Sequence, residues 1–140
     1  MDEPTETKAE TGVEAALDAA PEPQRRVLAR AAAMIREEAE AAPEVARLEA
    51  TSKWGQPSFA PSSASGAKTG TPIRLGLSKG GEPALFVHCG TTLIADWAAV
   101  AGPRVRVEGR RALILEPDDL DAARPFVRRA LTYRRRKAGR

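Results

Sequence analysis

The spacing of apolar residues divides this chain into a helical first part and a strand-rich second part. After Pro21, apolar residues recur three and four positions apart, which predicts a helix with one buried face. The residues of that face are Val27, Leu28, Ala31, Met34, Ile35 and Ala39. Pro43 interrupts this spacing and is predicted to open a second, short helix carrying Val45 and Leu48. Residues 1–20 lack the periodicity and are predicted to form a disordered acidic tail.

Three segments with strand character follow the predicted helices. The first, Lys53–Phe59, is a kinked strand, and residues 60–71 after it are small and polar enough to predict a flexible loop. Ile73–Leu77 alternates as a strand does, and the segment from Ala84 to Cys89 is its apolar partner. Because Lys79–Glu82 between them is a turn signal, the pair is predicted to be an antiparallel hairpin.

A helix, a second hairpin and a last helix complete the pattern. Thr92 is the expected N-cap of a short helix that buries Leu93, Ile94, Trp97 and Val100. Strands around Val105–Glu108 and Ala112–Leu115 flank a tight Gly109-Arg110 turn, and the final helix ends near Arg136. The order α-α-β-β-β-α-β-β-α predicts an α+β single domain over residues 21–137, with a mostly antiparallel five-stranded sheet packed by helices. Residues 138–140 are its basic C-terminal end.

Composition narrows the class of protein. Hydrophobic residues make up 42% of the 140-residue chain and charged residues 29%, values typical of a globular domain that can build one core. A single cysteine excludes an intrachain disulfide and a thiolate-rich zinc site. No apolar stretch approaches the roughly 18 residues of a membrane span. The acidic start is unlike a signal peptide, so a cytoplasmic protein without a membrane partner is expected.

Charge is distributed unevenly along the chain. Residues 1–20 hold six acids and one lysine, whereas residues 124–140 hold eight basic residues and no acid. One interpretation is a nucleic-acid or polyanion surface. Its residues would be Arg128, Arg129, Arg134, Arg135, Arg136 and Lys137. The favoured alternative is a helix end whose cations complement the helix dipole, since no nucleic-acid-binding motif accompanies the charge.

His88 and Cys89, the single histidine and the single cysteine, are adjacent where a strand passes into a helix. Neighbouring residues on a strand point to opposite faces, so the pair is not expected to form a nucleophile and base. Cys89 is interpreted as a small core residue. For His88, a polar residue at a strand end and a donor in a pocket wall remain alternatives. No catalytic residue is predicted, and the protein is expected to be a binding module rather than an enzyme.

Five residues are of the types that form a cleft for an anionic or aromatic ligand, in which a cation orients the ligand and a ring stacks on it. They are Trp54, Phe59, Arg74, His88 and Arg111. In the alternative interpretation the two aromatic residues belong to the core, and the arginines pair with Glu108 or Asp96 on the surface.

Five motifs, in this order, resemble the bacterial domain-of-unknown-function family 1801, also called YdhG-like. They are Lys53-Trp54-Gly55-x-Pro57-x-Phe59, Gly70-Thr71-Pro72-Ile73-Arg74-Leu75-Gly76, Val87-His88-Cys89-x-Thr91-Thr92-Leu93, Glu108-Gly109-x-Arg111-Ala112-Leu113 and Ala130-Leu131-Thr132-Tyr133-x-Arg135. The resemblance covers about residues 22–137 and implies a small α+β cytoplasmic domain. It also places all five candidate ligand residues in family motifs.

One branch of that family is described as a frataxin-like iron chaperone, which implies a carboxylate cluster as an alternative site. Glu37, Glu40 and Glu44 lie at i, i+3 and i+7, so that one helix face would present three hard oxygen ligands. A solvated charged face is favoured over a metal site, because Arg36 and Arg47 lie nearby and the chain beyond residue 20 is strongly basic. The leading prediction is therefore a module, monomer or homodimer without cofactor, that binds a small polar or anionic molecule.

Overall fold

The computed structural model describes residues 8–53, 55–88, 91–102 and 105–133. Within those residues the chain forms four α-helices, one 3-10 helix and six strands. In chain order the elements are α1 Lys8–Asp18, α2 Gln24–Ala41, β1 Arg47–Lys53, β2 Gln56–Ser62, β3 Ile73–Leu77, β4 Pro83–Phe86, α3 Leu93–Ala101, β5 Val107–Glu108, β6 Ala112–Ile114, the 3-10 helix Leu120–Ala123 and α4 Arg124–Leu131. No helix in the described ranges is long and apolar enough to cross a membrane.

The strands form one antiparallel sheet in the order β1-β2-β3-β4-β6-β5. The α+β class is therefore confirmed, with six strands where the sequence predicts five. Both predicted hairpins are present: β3 pairs with β4 across the Lys79–Glu82 turn, and β5 pairs with β6. Gly109 has φ of +60° in the second turn, a conformation that glycine adopts without steric cost.

The additional strand is β1, which begins at Arg47 and includes Leu48, within the segment predicted to be a second, short helix. All seven of its residues pair with β2, from Arg47 opposite Ser62 to Lys53 opposite Gln56. Leu48 and Ala50 lie on the face that meets the core, whereas Glu49 alternates outward and is exposed. A complete ladder of backbone hydrogen bonds stabilises this strand, although Leu, Glu and Ala favour helix locally.

Helix α1 corrects the prediction of a disordered tail over residues 8–18. Its Val13 is 2% exposed, and Leu17, one turn later, packs against the same core. The helix lies on β1 and β2, where a Cβ on Gly12 would come within 3.2 Å of the Ser52 Cβ. Two apolar residues four positions apart are sufficient here because the sheet provides the apolar surface that they cover. Residues 1–7 lie outside the described residues.

One face of the sheet and helices α2 and α4 enclose the main core. The six predicted residues of the α2 face are all buried, as are Phe126, Val127, Ala130 and Leu131 of α4. From the sheet, Phe59 pairs with Ile73 and Leu75 pairs with Leu85, and all four are fully buried. In α3 the predicted stripe is shorter than expected, because Val100 is 64% exposed.

The segment 60–71 is more ordered than the loop predicted from its composition. Residues 60–62 continue β2, and Ser62 forms a bridge with Lys68. Thr69, Gly70 and Thr71 are buried against the end of α4. The Thr69 hydroxyl donates to the Leu131 carbonyl at 3.0 Å, and the Thr71 N–H donates to the Ala130 carbonyl at 2.9 Å. The loop thereby satisfies carbonyl groups that a helix C-terminus leaves without intrahelical partners.

Candidate functional site

A row of side chains crosses the face of the sheet opposite the main core, which we call the open face. Directly opposed residues in antiparallel strands point to the same face. The register therefore aligns one residue from each of β2, β3, β4, β6 and β5 on the open face. The row is Ser58, Arg74, Phe86, Ala112 and Glu108. It joins a cation, an aromatic ring and a carboxylate across five neighbouring strands.

Phe86 is the centre of this row and lies beneath two guanidinium groups. Its side chain belongs to a small apolar cluster on the open face with Ala84, Ala112 and Ile114. The Cζ of Arg74, on β3, is 5.8 Å from the Phe86 ring centroid, and the Cζ of Arg111, just before β6, is 5.9 Å from it. Both distances lie within the roughly 6 Å over which a cation is attracted to an aromatic ring.

These residues line a cleft of about 200 Å³. Its walls are Gln56, Arg74, Leu77, Ser78, Lys79, Phe86, Glu108 and Arg111. The Arg74 Nη1 donates to Gln56 Oε1 at 3.1 Å, which orients the guanidinium. Three cationic side chains and one carboxylate meet in the cleft, so its charge favours an anion.

The β3–β4 turn fixes the rim of the cleft. The Ser78 hydroxyl oxygen accepts the N–H groups of Gly80 and Glu82, both at 3.2 Å, and Gly81 has φ of +82°. The turn places the Lys79 N–H 3.2 Å from Glu108 Oε2, to which it donates. Glu108 Oε1 is buried and accepts no hydrogen bond from any described residue.

The structure brings together two of the five residues predicted for ligand binding. Arg74 and Arg111 line the cleft, whereas Phe59 is fully buried in the main core, as the alternative interpretation proposed. His88 is exposed, two residues after β4 ends, and it is not one of the residues that line the cleft. Trp54 lies outside the described residues, as does Cys89.

Sequence reasoning missed Gln56, Phe86 and Glu108 as components of the cleft. The position of Phe86 could be predicted from the sequence. If the Lys79–Glu82 turn pairs Leu77 with Pro83, the same register pairs Arg74 with Phe86. For Gln56 and Glu108 the sequence holds no such signal, because their positions depend on which strands flank the β3–β4 hairpin.

The alternative carboxylate site is not assembled. Helix α2 ends at Ala41, so Glu44 does not continue the helix face of Glu37 and Glu40. Glu37 instead accepts a hydrogen bond from Arg124 Nη2 at 2.7 Å. No group of three or more His, Cys, Asp or Glu side chains that could hold a metal ion occurs in the part of the chain that the structure describes.

Of the six residues of the alternative basic surface, the structure describes two, Arg128 and Arg129. Arg128 donates to Glu38 Oε1 at 2.9 Å, and the Arg129 Cζ lies 5.6 Å from the Trp97 ring centroid. Both cations therefore contact groups of the protein itself. Arg134, Arg135, Arg136 and Lys137 lie outside the described residues.

A second cavity, of about 220 Å³, lies between β6, α3 and the 3-10 helix. Its walls include Trp97, Leu113 and Ala123. At its rim the Arg106 guanidinium donates to both Glu82 and Glu116. This cavity therefore lacks the excess positive charge of the cleft on the open face.

No family model, curated protein or solved structure matches this chain. The resemblance to family 1801 stays a prediction.

Proposed function

We propose that this protein is a non-enzymatic module that binds a small anionic ligand in the cleft on the open face, and that it belongs to the YdhG-like family. The observation that carries the binding proposal is the placement of Arg74, on β3, and Arg111, just before β6, over the Phe86 ring of β4. Guanidinium groups bind carboxylate and phosphate oxygens in a bidentate geometry, and a ligand held there also contacts the aromatic floor.

Electrostatics support an anion as the occupant. Arg74, Lys79 and Arg111 share a cleft of about 200 Å³ with a single carboxylate. Like charges held this close repel, and an anion bound between them relieves that repulsion. The volume is below the roughly 300–1,000 Å³ of most drug-sized ligand sites, which favours a small organic acid or phosphate over a nucleotide.

Titration calorimetry with succinate, glutarate and inorganic phosphate tests the proposal. We expect at least one of these anions to bind with a dissociation constant below about 1 mM. Substituting both Arg74→Gln and Arg111→Gln is expected to weaken that binding at least about tenfold, because each removes a charge-assisted hydrogen-bond donor. Arg110→Gln is the matched control, because Arg110 is an exposed neighbour that does not line the cleft.

Two results would reject the proposal. One is the absence of binding by all three anions at about 10 mM, far above the expected dissociation constant. The other is equal affinity in the wild type and the double variant, which would place the anion elsewhere on the protein.

Gly76→Ala tests how Arg74 is oriented. A Cβ at Gly76 would lie 2.3 Å from Gln56 Nε2, the mobile end of a long side chain. We expect Gln56 to move away and to lose its contact with Arg74, so that affinity for the bound anion falls about fivefold, or about 1 kcal/mol. Calorimetry measures the affinity, and urea unfolding should show a stability change below about 1 kcal/mol. Unchanged affinity would mean that Gln56 does not orient Arg74 for binding.

A further inference from the structure

We propose that the ligand of this cleft is a zwitterion: a small molecule that joins an acidic group to an ammonium group, as an amino acid does. This inference rests on the proposed function, because it specifies the ligand of the same site. It follows from Glu108, a carboxylate that lines the cleft although binding of a plain anion does not require it.

Glu108 presents an unpartnered carboxylate oxygen in a cationic cleft. Its Oε2 accepts the Lys79 N–H at 3.2 Å, but its Oε1 is buried without a hydrogen-bond partner among the described residues. Buried polar atoms in folded proteins are nearly always hydrogen-bonded, and a charged oxygen without a donor is the most costly exception. A donor on the ligand would satisfy this oxygen.

The carboxylate is held in place by the backbone around it. Glu108 is the last residue of β5 and pairs with Ala112 of β6, across a turn in which Gly109 has φ of +60°. The Lys79 N–H holds one carboxylate oxygen from the neighbouring β3–β4 turn. The carboxylate of Glu108, which lines the cleft, is thus held between these two turns.

Neutralisation of the two arginines explains less fully than a zwitterionic ligand why a carboxylate lies in the cleft. A carboxylate in that role stabilises most when its oxygens accept charge-assisted hydrogen bonds from the cations. Here one oxygen binds a neutral backbone N–H and the other accepts no hydrogen bond from any residue in the described ranges. An ammonium group fits this arrangement, since it is a donor and carries the charge that a carboxylate prefers.

The dimensions of the cleft set the size of the zwitterion. The arginines and Glu108 line one cleft of about 200 Å³, so the acidic and ammonium groups of the ligand must lie only a few bonds apart. Phe86 forms the floor between them, which accommodates a short aliphatic or aromatic body. A small amino acid meets these requirements, and a long polyamine or a dinucleotide does not.

Matched ligand pairs that differ in an ammonium group test the inference. Glutamate is compared with glutarate, and phosphoethanolamine with ethyl phosphate, by titration calorimetry. In at least one pair the zwitterionic member is expected to bind the wild type at least about tenfold more tightly. Glu108→Gln should reduce that preference to about threefold or less, because the neutral amide no longer attracts the ammonium group. Glu116→Gln is the control, because Glu116 binds Arg106 and does not line the cleft.

The outcomes separate this inference from the function on which it rests. Equal affinities within each pair, with both members weakened by Arg74→Gln and Arg111→Gln together, would overturn the zwitterion and leave the anion site intact. A preference that Glu108→Gln leaves unchanged would also overturn it. If no member binds, and the plain anions do not bind either, the proposed function fails with it.

Discussion

Gly70→Ala is expected to destabilise the protein by about 3 kcal/mol, through overpacking and the loss of two hydrogen bonds. A Cβ at this position would lie 2.1 Å from the Ala130 carbonyl oxygen and 2.4 Å from the carbonyl carbon and oxygen of Leu131. All three atoms are backbone, so no side chain can turn away to make room. The loop would have to withdraw from α4, which would separate Thr69 and Thr71 from the helix carbonyls they bind.

Urea unfolding measures this effect, and two further variants define it. Gly80→Ala is the control, because the nearest atom to its Cβ would be 3.8 Å away, and we expect a change within about 0.5 kcal/mol. Thr69→Val removes one hydrogen bond without a steric clash and should cost about 1 kcal/mol. A Gly70→Ala protein as stable as the Gly80→Ala control would show that the loop does not contact α4 in solution.

Elements with a strong local pattern could be predicted from the sequence. All six residues predicted for the buried face of α2 are buried, because apolar residues at helical spacing leave one choice of face. The hairpin of β3 and β4 is likewise correct, since its turn residues and its alternation agree. In both cases the information lies within one short segment.

Elements whose structure depends on distant partners could not be predicted in this way. Leu48-Glu49-Ala50 favours helix by itself, and it becomes a strand because β2 offers a full ladder of partners. Two apolar residues, Val13 and Leu17, do not define a helix face by themselves. They pack against a core that includes the sheet, whose position could not be predicted from this segment. Both β1 and α1 therefore depend on contacts with parts of the chain that lie outside their own segments.

The cleft could likewise be predicted in part from local sequence and in part not. Arg74 and Arg111 could be selected by residue type, but the reason they act together is the register that places Arg74 opposite Phe86 and Phe86 opposite Ala112. Residue type also predicts Phe59 and His88 for the cleft, yet strand alternation buries Phe59 on the other face of the sheet from Phe86. Residue type identifies the chemistry available, and the strand order decides which groups meet.

Glu38→Ala is expected to destabilise the protein by about 2 kcal/mol, because it removes the carboxylate that joins α2 to α4. Breaking one partner of a fully buried ion pair costs about 3–5 kcal/mol. The Glu38 side chain is 7% exposed, but those of Arg124 and Arg128 are 33% and 61% exposed, so water compensates part of the loss. Arg124 Nη1 donates to Glu38 Oε2 at 3.0 Å and Arg128 Nε donates to Oε1 at 2.9 Å.

Urea unfolding of Glu38→Ala is compared with that of Glu37→Ala. Glu37 binds the same Arg124 but is 59% exposed, and its loss should cost less than about 0.5 kcal/mol. Equal effects for the two variants would contradict the role of burial in this interaction.

The contribution of Glu38 to stability is expected to depend on pH. Burial opposes ionisation of this carboxyl, but the hydrogen bonds and charges of Arg128 and Arg124 outweigh it and lower its pKa below the ordinary value of 4.5. The unfolded chain therefore takes up a proton at a higher pH than the folded protein does. The stabilisation is complete above the unfolded-state pKa, and it is lost as the pH falls through 4.5 and then through the lower folded-state value.

Glu38→Gln isolates this titration, because the amide keeps the shape of the side chain but does not ionise. The stability difference between the wild type and Glu38→Gln should be constant from about pH 6 to 8 and should shrink as the pH is lowered below about 5. A difference that stays constant down to pH 3 would show that the folded and unfolded states bind this proton equally. In that case the arginines of α4 would stabilise the helix pair by packing rather than by charge.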